Sequence, residues 1–438
     1  TEQVHFFTRQ LVDLFAPNNF LASNPVAIRK AVETNGRSLV EGLENFVADL
    51  ERSNGDLLVT LSDPTAFEVG KTIAATKGYV IHQTEMFQLI RYEPTTPKVF
   101  SRPLLIVPPW INKFYVLDLQ PKSSLVKWLT DKGFAVHIVS WRNPVKEHGD
   151  WGMDTYVFDG VLKAIEAVCD LNESEDCNVT GYCIGGTAVS MALAWLGKQK
   201  KLKPIRSATF FTALTDFEDP GPIQAFLDES FVPGIMVEAN RKGYLDNKIM
   251  ARTFSFLRPN DLVYGPAVHA YLLGEPRPKF DLLFWNEDST RLPARMAGEY
   301  LNRLYGDNEL SVGRYELKGE QVGMADINVP HYVVACEKDH IAPWDASFKG
   351  LAKAGGDGRF VLAQSGHIAG IVNPPVKKKY GYWTNPEIPH DLEAWRAGSE
   401  AHDGSWWGDW ATWLGRRSGK KIDADASFPD STPRIEPA

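Results

Sequence analysis

Gly181-Tyr182-Cys183-Ile184-Gly185-Gly186 stands between the short apolar run Cys177-Asn178-Val179-Thr180 and the helix-like stretch 187–198, TAVSMALAWLGK. A strand that turns sharply into a helix needs glycine on either side of its apex. A Cβ two positions away would crowd the neighbouring strand and helix. The apex here is Cys183, and a residue at a helix N-terminus sits where partial positive charge favours an anion. Taken alone, a cysteine in a glycine-rich turn reads as a small buried apolar residue. What lies to either side of it argues for more.

From Ser101 onward the chain is built of short apolar runs, several of them ending in Gly or Pro. Helix-like sequence follows most of them. The runs are PLLIVPP, GFAVHIVSWRNP, CNVTGYCIGG, IRSATFFTAL, PHYVVACEKDH and GRFVLAQSGH. Near-continuous apolar strands alternating with helices predict an α/β architecture, a mostly parallel, doubly wound sheet covered on both faces. The last two runs end in Asp339 and His367. The chain order Cys183, Asp339, His367 is that of an α/β-hydrolase triad, with all three residues placed where loops converge at the carboxyl edge of a parallel sheet. Cys183 is therefore the candidate nucleophile, His367 its base and Asp339 the third member. His340 is the rival histidine and Glu337 the rival carboxylate. A tetrahedral oxyanion needs two donors: the backbone N–H of Ile184, and that of Trp110 or Ile111 on the loop after Leu104–Val107. Pro108 and Pro109 have no N–H to give. A cysteine acyl-enzyme keeps thioester energy, so this nucleophile suits onward transfer from a thioester donor.

The regions outside this core read differently. Residues 1–97 are predicted to be an N-terminal helical segment, with apolar periodicity over Arg9–Phe15, Ala27–Leu50 and, more faintly, Gly78–Ile90. Asn24 before Pro25 reads as an N-cap. The core is expected to occupy 98–214 and 327–438, interrupted at 215–326 by an inserted cap in which the strand rhythm lapses. The last part holds six of the 13 Trp, read mainly as a terminal helix packing on the core, with an exposed docking patch as the lesser reading. A formal net charge of −8 across 438 residues gives no footprint for nucleic acid. No run approaches the length of a membrane span. Four Cys without metal-type spacing indicate neither a disulfide scaffold nor a metal site. With Thr1 in first place and no signal pattern, the expectation is a stretch of a longer cytoplasmic protein.

The whole chain closely resembles the polyhydroxyalkanoate synthases of the single-component, short-chain class. The resemblance rests on LLIVPPWINKFYVLDLQPKSSLV, VSWRNP, GYCIGGT, TFSFLRPNDLV, FDLLFWNEDSTRLP, DHIAPW, SGHIAGIVNPP, KYGYWTN and GSWWGDW. It implies repeated transfer of 3-hydroxyacyl units from coenzyme A to a growing polyester, with Cys183 acylated, His367 as base and Asp339 assisting it. It implies no metal or redox cofactor, a homodimer, a mobile cap at 215–326, and a cytoplasmic location at the surface of polyester granules, where granule proteins are possible partners. One departure is Tyr264-Gly265-Pro266, where the family commonly has Trp-Asn-Tyr. Two other functions compete: a Cys-dependent hydrolase of thioesters or esters, resembling dienelactone hydrolases in its nucleophile, and a non-catalytic granule-surface protein that uses the Trp-rich end.

Overall fold

The computed structural model describes residues 2–227, 231–389 and 391–438. Its centre is an 11-stranded sheet. In chain order the strands are β1 (Gly78–Gln83), β2 (Phe87–Tyr92), β3 (Leu104–Val107), β4 (Val136–Trp141), β5 (Cys177–Tyr182), β6 (Ile205–Phe211), β7 (His331–Cys336), β8 (Gly358–Ala363), β9 (Tyr382–Thr384), β10 (Glu400–His402) and β11 (Glu436–Pro437). Their spatial order is β10-β9-β8-β7-β6-β5-β3-β4-β2-β1-β11. The six from β3 to β8 in sequence form the parallel centre, and antiparallel strands finish both edges. All six predicted apolar runs are these central strands. Every residue of β3, β5 and β7 is buried, as strands covered on both faces require.

Gly78–Ile90 corrects the sequence reading. It is a hairpin, β1 and β2, joined through Thr84–Met86, and β2 pairs onward with β4. The apolar residues recur there at a spacing that a helix and a half-buried strand both allow. The tertiary pairing decides, and β-branched and aromatic side chains fit it. The region 27–50 also differs, being two helices, Pro25–Glu33 and Arg37–Arg52, parted at Gly36, which has φ 82°. Asn24 caps the first of them, its side chain accepting from the Val26 and Ala27 N–H groups at 3.0 Å each.

The chain divides into two compact units, and these do not follow the expected boundaries. One holds the residues up to Glu68 with Pro222–Phe226 and Asn247–Ser289; the other holds the sheet and all remaining described residues. The interval 215–326 is thus shared between the two units. Thr290 onward returns to the sheet unit because its backbone is hydrogen-bonded there: Thr290 N–H donates to the Ile111 carbonyl at 2.9 Å and Met296 N–H to that of Trp151 at 3.1 Å. No helix among the described residues is long and apolar enough to cross a membrane.

The Trp-rich end packs as a helix, Trp407–Gly415, with Trp406, Trp407 and Trp410 fully buried. Their indoles donate to the carbonyls of Gly370 (2.8 Å) and Ile371 (2.9 Å) and to the Thr209 hydroxyl (3.0 Å). Aromatic burial and buried hydrogen bonds together bind this helix to strand β6 and to the loop that follows β8.

Two glycines on different helices give a stability prediction. A Cβ on Gly185 would stand 2.4 Å from the Val107 carbonyl oxygen and 2.7 Å from that of Pro108, both backbone atoms that cannot swing aside. One on Gly408 meets nothing within 4 Å. Gly185→Ala is expected to cost about 3 kcal/mol or more. Gly408→Ala is expected to be neutral or to stabilise by up to about 1 kcal/mol. Denaturant midpoints of the two variants beside the parent check this, and equal midpoints would contradict the geometry.

Candidate active site

Strand β5 ends at Tyr182 and the helix Ile184–Lys198 begins two residues later, which leaves Cys183 alone in the turn at φ 53°, ψ −127°. An L-residue adopts that conformation only under strain, and here neighbours hold it from both sides. Cys183 N–H donates to the Phe211 carbonyl at 2.9 Å, and its own carbonyl accepts from Gly186 N–H at 2.8 Å. The flanking glycines are required by contact. A Cβ on Gly181 would stand 2.4 Å from the Gly186 Cα, and one on Gly186 would stand 2.4 Å from the Ala213 Cβ. The backbone therefore packs closely enough to turn the chain in one residue and project the thiol from the carboxyl edge of the sheet.

Asp339 and His367 come together because the loops after β7 and β8 are joined. Glu337 N–H donates to the Ala363 carbonyl (2.8 Å) and Lys338 N–H to that of Ser365 (2.9 Å). His367 Nδ1 lies 2.7 Å from Asp339 Oδ2. The other carboxylate oxygen accepts from the N–H groups of Ile341 (2.8 Å) and Ala342 (2.9 Å), which fixes the carboxylate plane against the ring. The Asp339 side chain is fully buried. Glu337, the rival carboxylate, is turned to Arg396 at 3.3 Å. The ring facing Asp339 is that of His367, not that of His340.

Tyr182, Trp406, Trp407 and Gly370 also hold the loop of His367, a role the sequence reading assigned to none of them. Tyr182 donates its hydroxyl to the His367 carbonyl at 3.2 Å. Trp406 and Trp407 fix the carbonyls three and four residues further on. Gly370 lies so close to Cys336 that a Cβ there would stand 2.4 Å from its Sγ. The only sequence signals were the tyrosine inside the elbow and the paired tryptophans, residues whose polar atoms need partners once buried.

The electrostatics of the imidazole follow from this geometry. Burial on its own would push His367 down, because the charged form loses its water. The negative charges of Asp339 and Cys183, each also hydrogen-bonded to the ring, outweigh burial and push it up to about 10. The buried ring thus holds its proton while both partners carry charge.

Ile184 opens its helix, so its N–H is one of the donors that a helix N-terminus leaves free. The loop bearing Trp110 and Ile111 runs against the elbow at Gly185, and Thr290 anchors it. The Thr290 hydroxyl donates to the Trp110 carbonyl and its N–H to the Ile111 carbonyl. Trp110 also stacks on Tyr156 with ring centroids 4.0 Å apart. Among the described residues, no group of three or more His, Cys, Asp and Glu is arranged to hold a metal ion.

A parallel-centred sheet with a cysteine elbow, and a histidine and aspartate on later strand ends, defines an α/β-hydrolase-fold protein. The sequence family described as "alpha/beta hydrolase fold" matches residues 102–374. A second, "Poly-beta-hydroxybutyrate polymerase (PhaC) N-terminus", matches residues 1–129. The chain is 44% identical to the poly(3-hydroxyalkanoate) polymerase subunit PhaC of Cupriavidus necator, over all of this chain and 74% of that one. It is 39% identical to the poly(3-hydroxyalkanoate) polymerase of Methylorubrum extorquens, over all of this chain and 72% of the relative. The chain belongs to the poly(3-hydroxyalkanoate) polymerase family.

Proposed function

We propose that this chain is an acyltransferase that builds a polyester, passing 3-hydroxyacyl units from coenzyme A thioesters to a growing chain through an acylated Cys183. The observation that carries the reading is the strained cysteine elbow with His367 and Asp339 on one carboxyl edge, in a chain 44% identical over its whole length to a polymerase of this kind. In the first half of the cycle the Cys183 sulfur attacks the thioester carbonyl. The N–H of Ile184, with that of Trp110 or Ile111, receives the developing oxyanion. The carbon–sulfur bond to coenzyme A then breaks, and His367 gives its proton to the departing thiolate.

Acylation also changes what His367 can do. Once Cys183 is a thioester its charge is gone, and with it one of the two charges that hold the proton on the ring. The neutral imidazole left behind is the form that takes a proton from a 3-hydroxyl, whose oxygen then attacks the acyl group on Cys183. Asp339 steadies the imidazolium in both halves. The reaction needs no redox or metal cofactor. The short-chain preference, a homodimer and work at a polyester granule surface belong to the same proposal.

The test is incubation with 3-hydroxybutyryl-CoA, followed by separation of sedimentable polyester from soluble 3-hydroxybutyrate. Polyester with released coenzyme A is the expected outcome. Stoichiometric free acid without polymer would turn the assignment to a Cys-dependent hydrolase.

A further inference from the structure

The unit that holds the residues up to Glu68 has a cavity of its own, of about 550 Å³, and every residue that lines it belongs to that unit. The volume is in the range of pockets that take a small molecule. Three segments frame much of it: the end of the helix Arg37–Arg52, the chain that follows from Ser53 to Leu61, and the helix Asn247–Leu257. Lys248 ties the three together, its ammonium donating to the Ser53 carbonyl and to Asp56 at 3.1 Å each. Leu58, Val59, Ala251, Phe256, Leu262 and Val263 give the cavity an apolar wall.

Its charged groups are unequally satisfied. The carboxylates are spent. Asp49 accepts from the Tyr271 hydroxyl (2.6 Å), from the Thr60 N–H (3.1 Å) and from the Thr60 hydroxyl, and it pairs with Arg277. Glu287 accepts from the N–H groups of Leu61 (3.2 Å) and Ser62 (3.1 Å). Asp56 accepts from Lys248 and lies 3.4 Å from Arg252. The guanidinium groups keep donors in reserve. Arg52 uses only Nη1, which donates to the Thr60 hydroxyl at 3.1 Å and faces Glu287 at 3.7 Å. Arg252 uses only Nη2, toward Asp56. The other two nitrogens of each have no acceptor among the described residues. In this network Arg52, Lys248, Arg252 and Arg277 stand against Asp49, Asp56 and Glu287, which leaves one positive charge in excess.

We propose that this cavity binds a monocarboxylate with an extended apolar body, its head taken by Arg52 and Arg252 and its body laid against the apolar wall. The single excess charge matches one carboxylate, and planar forks with free N–H groups suit its two oxygens. The same balance speaks against coenzyme A, whose phosphates bring several negative charges. The wall supplies the rest of the affinity by taking apolar surface out of water. Two kinds of molecule carry this chemistry: a fatty acid, and a short 3-hydroxyalkanoate oligomer ending in a free carboxylate. The proposal does not rest on the polymerase reading, because none of Cys183, Asp339 and His367 lines the cavity.

Isothermal titration of the full chain with decanoate, with the free-acid trimer of 3-hydroxybutyrate and with neutral decanol tests it. Saturable binding of one acid molecule per chain is expected, the tighter of the two acids identifying the source. Decanol should bind at least about 10-fold more weakly, the order set by one hydrogen bond to a charged group. Arg252→Gln gives up only the contact with Asp56, so it should fold and weaken both acids about 10-fold while leaving decanol unchanged. Arg52→Gln should act in the same direction. Ala251→Trp, which fills the cavity from the helix turn between Lys248 and Arg252, should remove binding of all three ligands; if it does not fold, the arginine variants carry the test alone. The proposal is overturned if the parent shows no saturable binding up to about 1 mM acid. Decanol bound as tightly as decanoate, or acid affinity untouched in the variants, overturns it equally.

Discussion

Cys183→Ala is expected to abolish coenzyme A release and polyester formation, a loss of at least about 10⁴-fold, because the proposed route runs through a thioester on Cys183 and alanine has no atom to form it. Cys183→Gly should be equally inactive and yet more stable than Cys183→Ala. Both variants lack the thiol, and both lose the charge that faces His367. They differ in the Cβ, which alanine must carry at φ 53°, ψ −127° and glycine does not. Strain at such a position is on the order of 1–3 kcal/mol. The greater unfolded-state freedom of glycine takes back roughly 0.5–1 kcal/mol. The net expectation is that the glycine variant is the more stable by about 1 kcal/mol, read from denaturant midpoints at neutral pH. Stability in the order alanine above glycine would mean that the elbow relaxes once the thiol is gone and that the strain belongs to the side chain. Residual polymer from either variant would remove Cys183 from the reaction altogether.

The sheet was legible where its strands are buried on both faces, because such strands read as unbroken apolar runs and nothing competes with that pattern. The hairpin at 78–92 was not, since polar residues such as His82, Gln83, Gln88 and Arg91 interrupt its apolar ones at a spacing that a helix can imitate. The elbow was legible because close backbone packing admits only glycine at 181, 185 and 186, and that demand is written into the sequence. Asp339 and His367 could be chosen by strand ends and chain order. The bonds that bring them together, Glu337 to Ala363 and Lys338 to Ser365, are backbone bonds and have no signature in residue type. For the same reason the division of 215–326 between the two compact units has no signature in the sequence. Its boundaries depend on which carbonyls Thr290 and Met296 find, and composition does not encode that.

Neutralising Asp339 should produce the second large effect, and its pH dependence has a definite sign. Asp339→Asn keeps an oxygen for the N–H groups of Ile341 and Ala342, so the loop can hold its shape. What it loses is the charge opposite His367 Nδ1 and the bond that sets the ring's tautomer. Turnover is expected to fall on the order of 10³- to 10⁴-fold, the size found when the corresponding carboxylate is neutralised in a Ser-His-Asp site. The stability effect follows from linkage. In the parent, His367 is pushed up to about 10, above its ordinary 6.5, with Asp339 the leading charge that opposes the effect of burial. A group raised on folding contributes stability that is fully present below its unfolded value and is lost as the pH rises through the folded one. Without the carboxylate, burial acts against a charged ring with less opposition. The variant should therefore trail the parent most at pH 6 and least above pH 10. Thermal midpoints of the two proteins at pH 6, 8 and 10.5 measure this directly. A gap that widens with pH would show that the carboxylate supports the fold through its backbone contacts and not through the proton on His367. A constant gap, with turnover unaffected, would take Asp339 out of the triad.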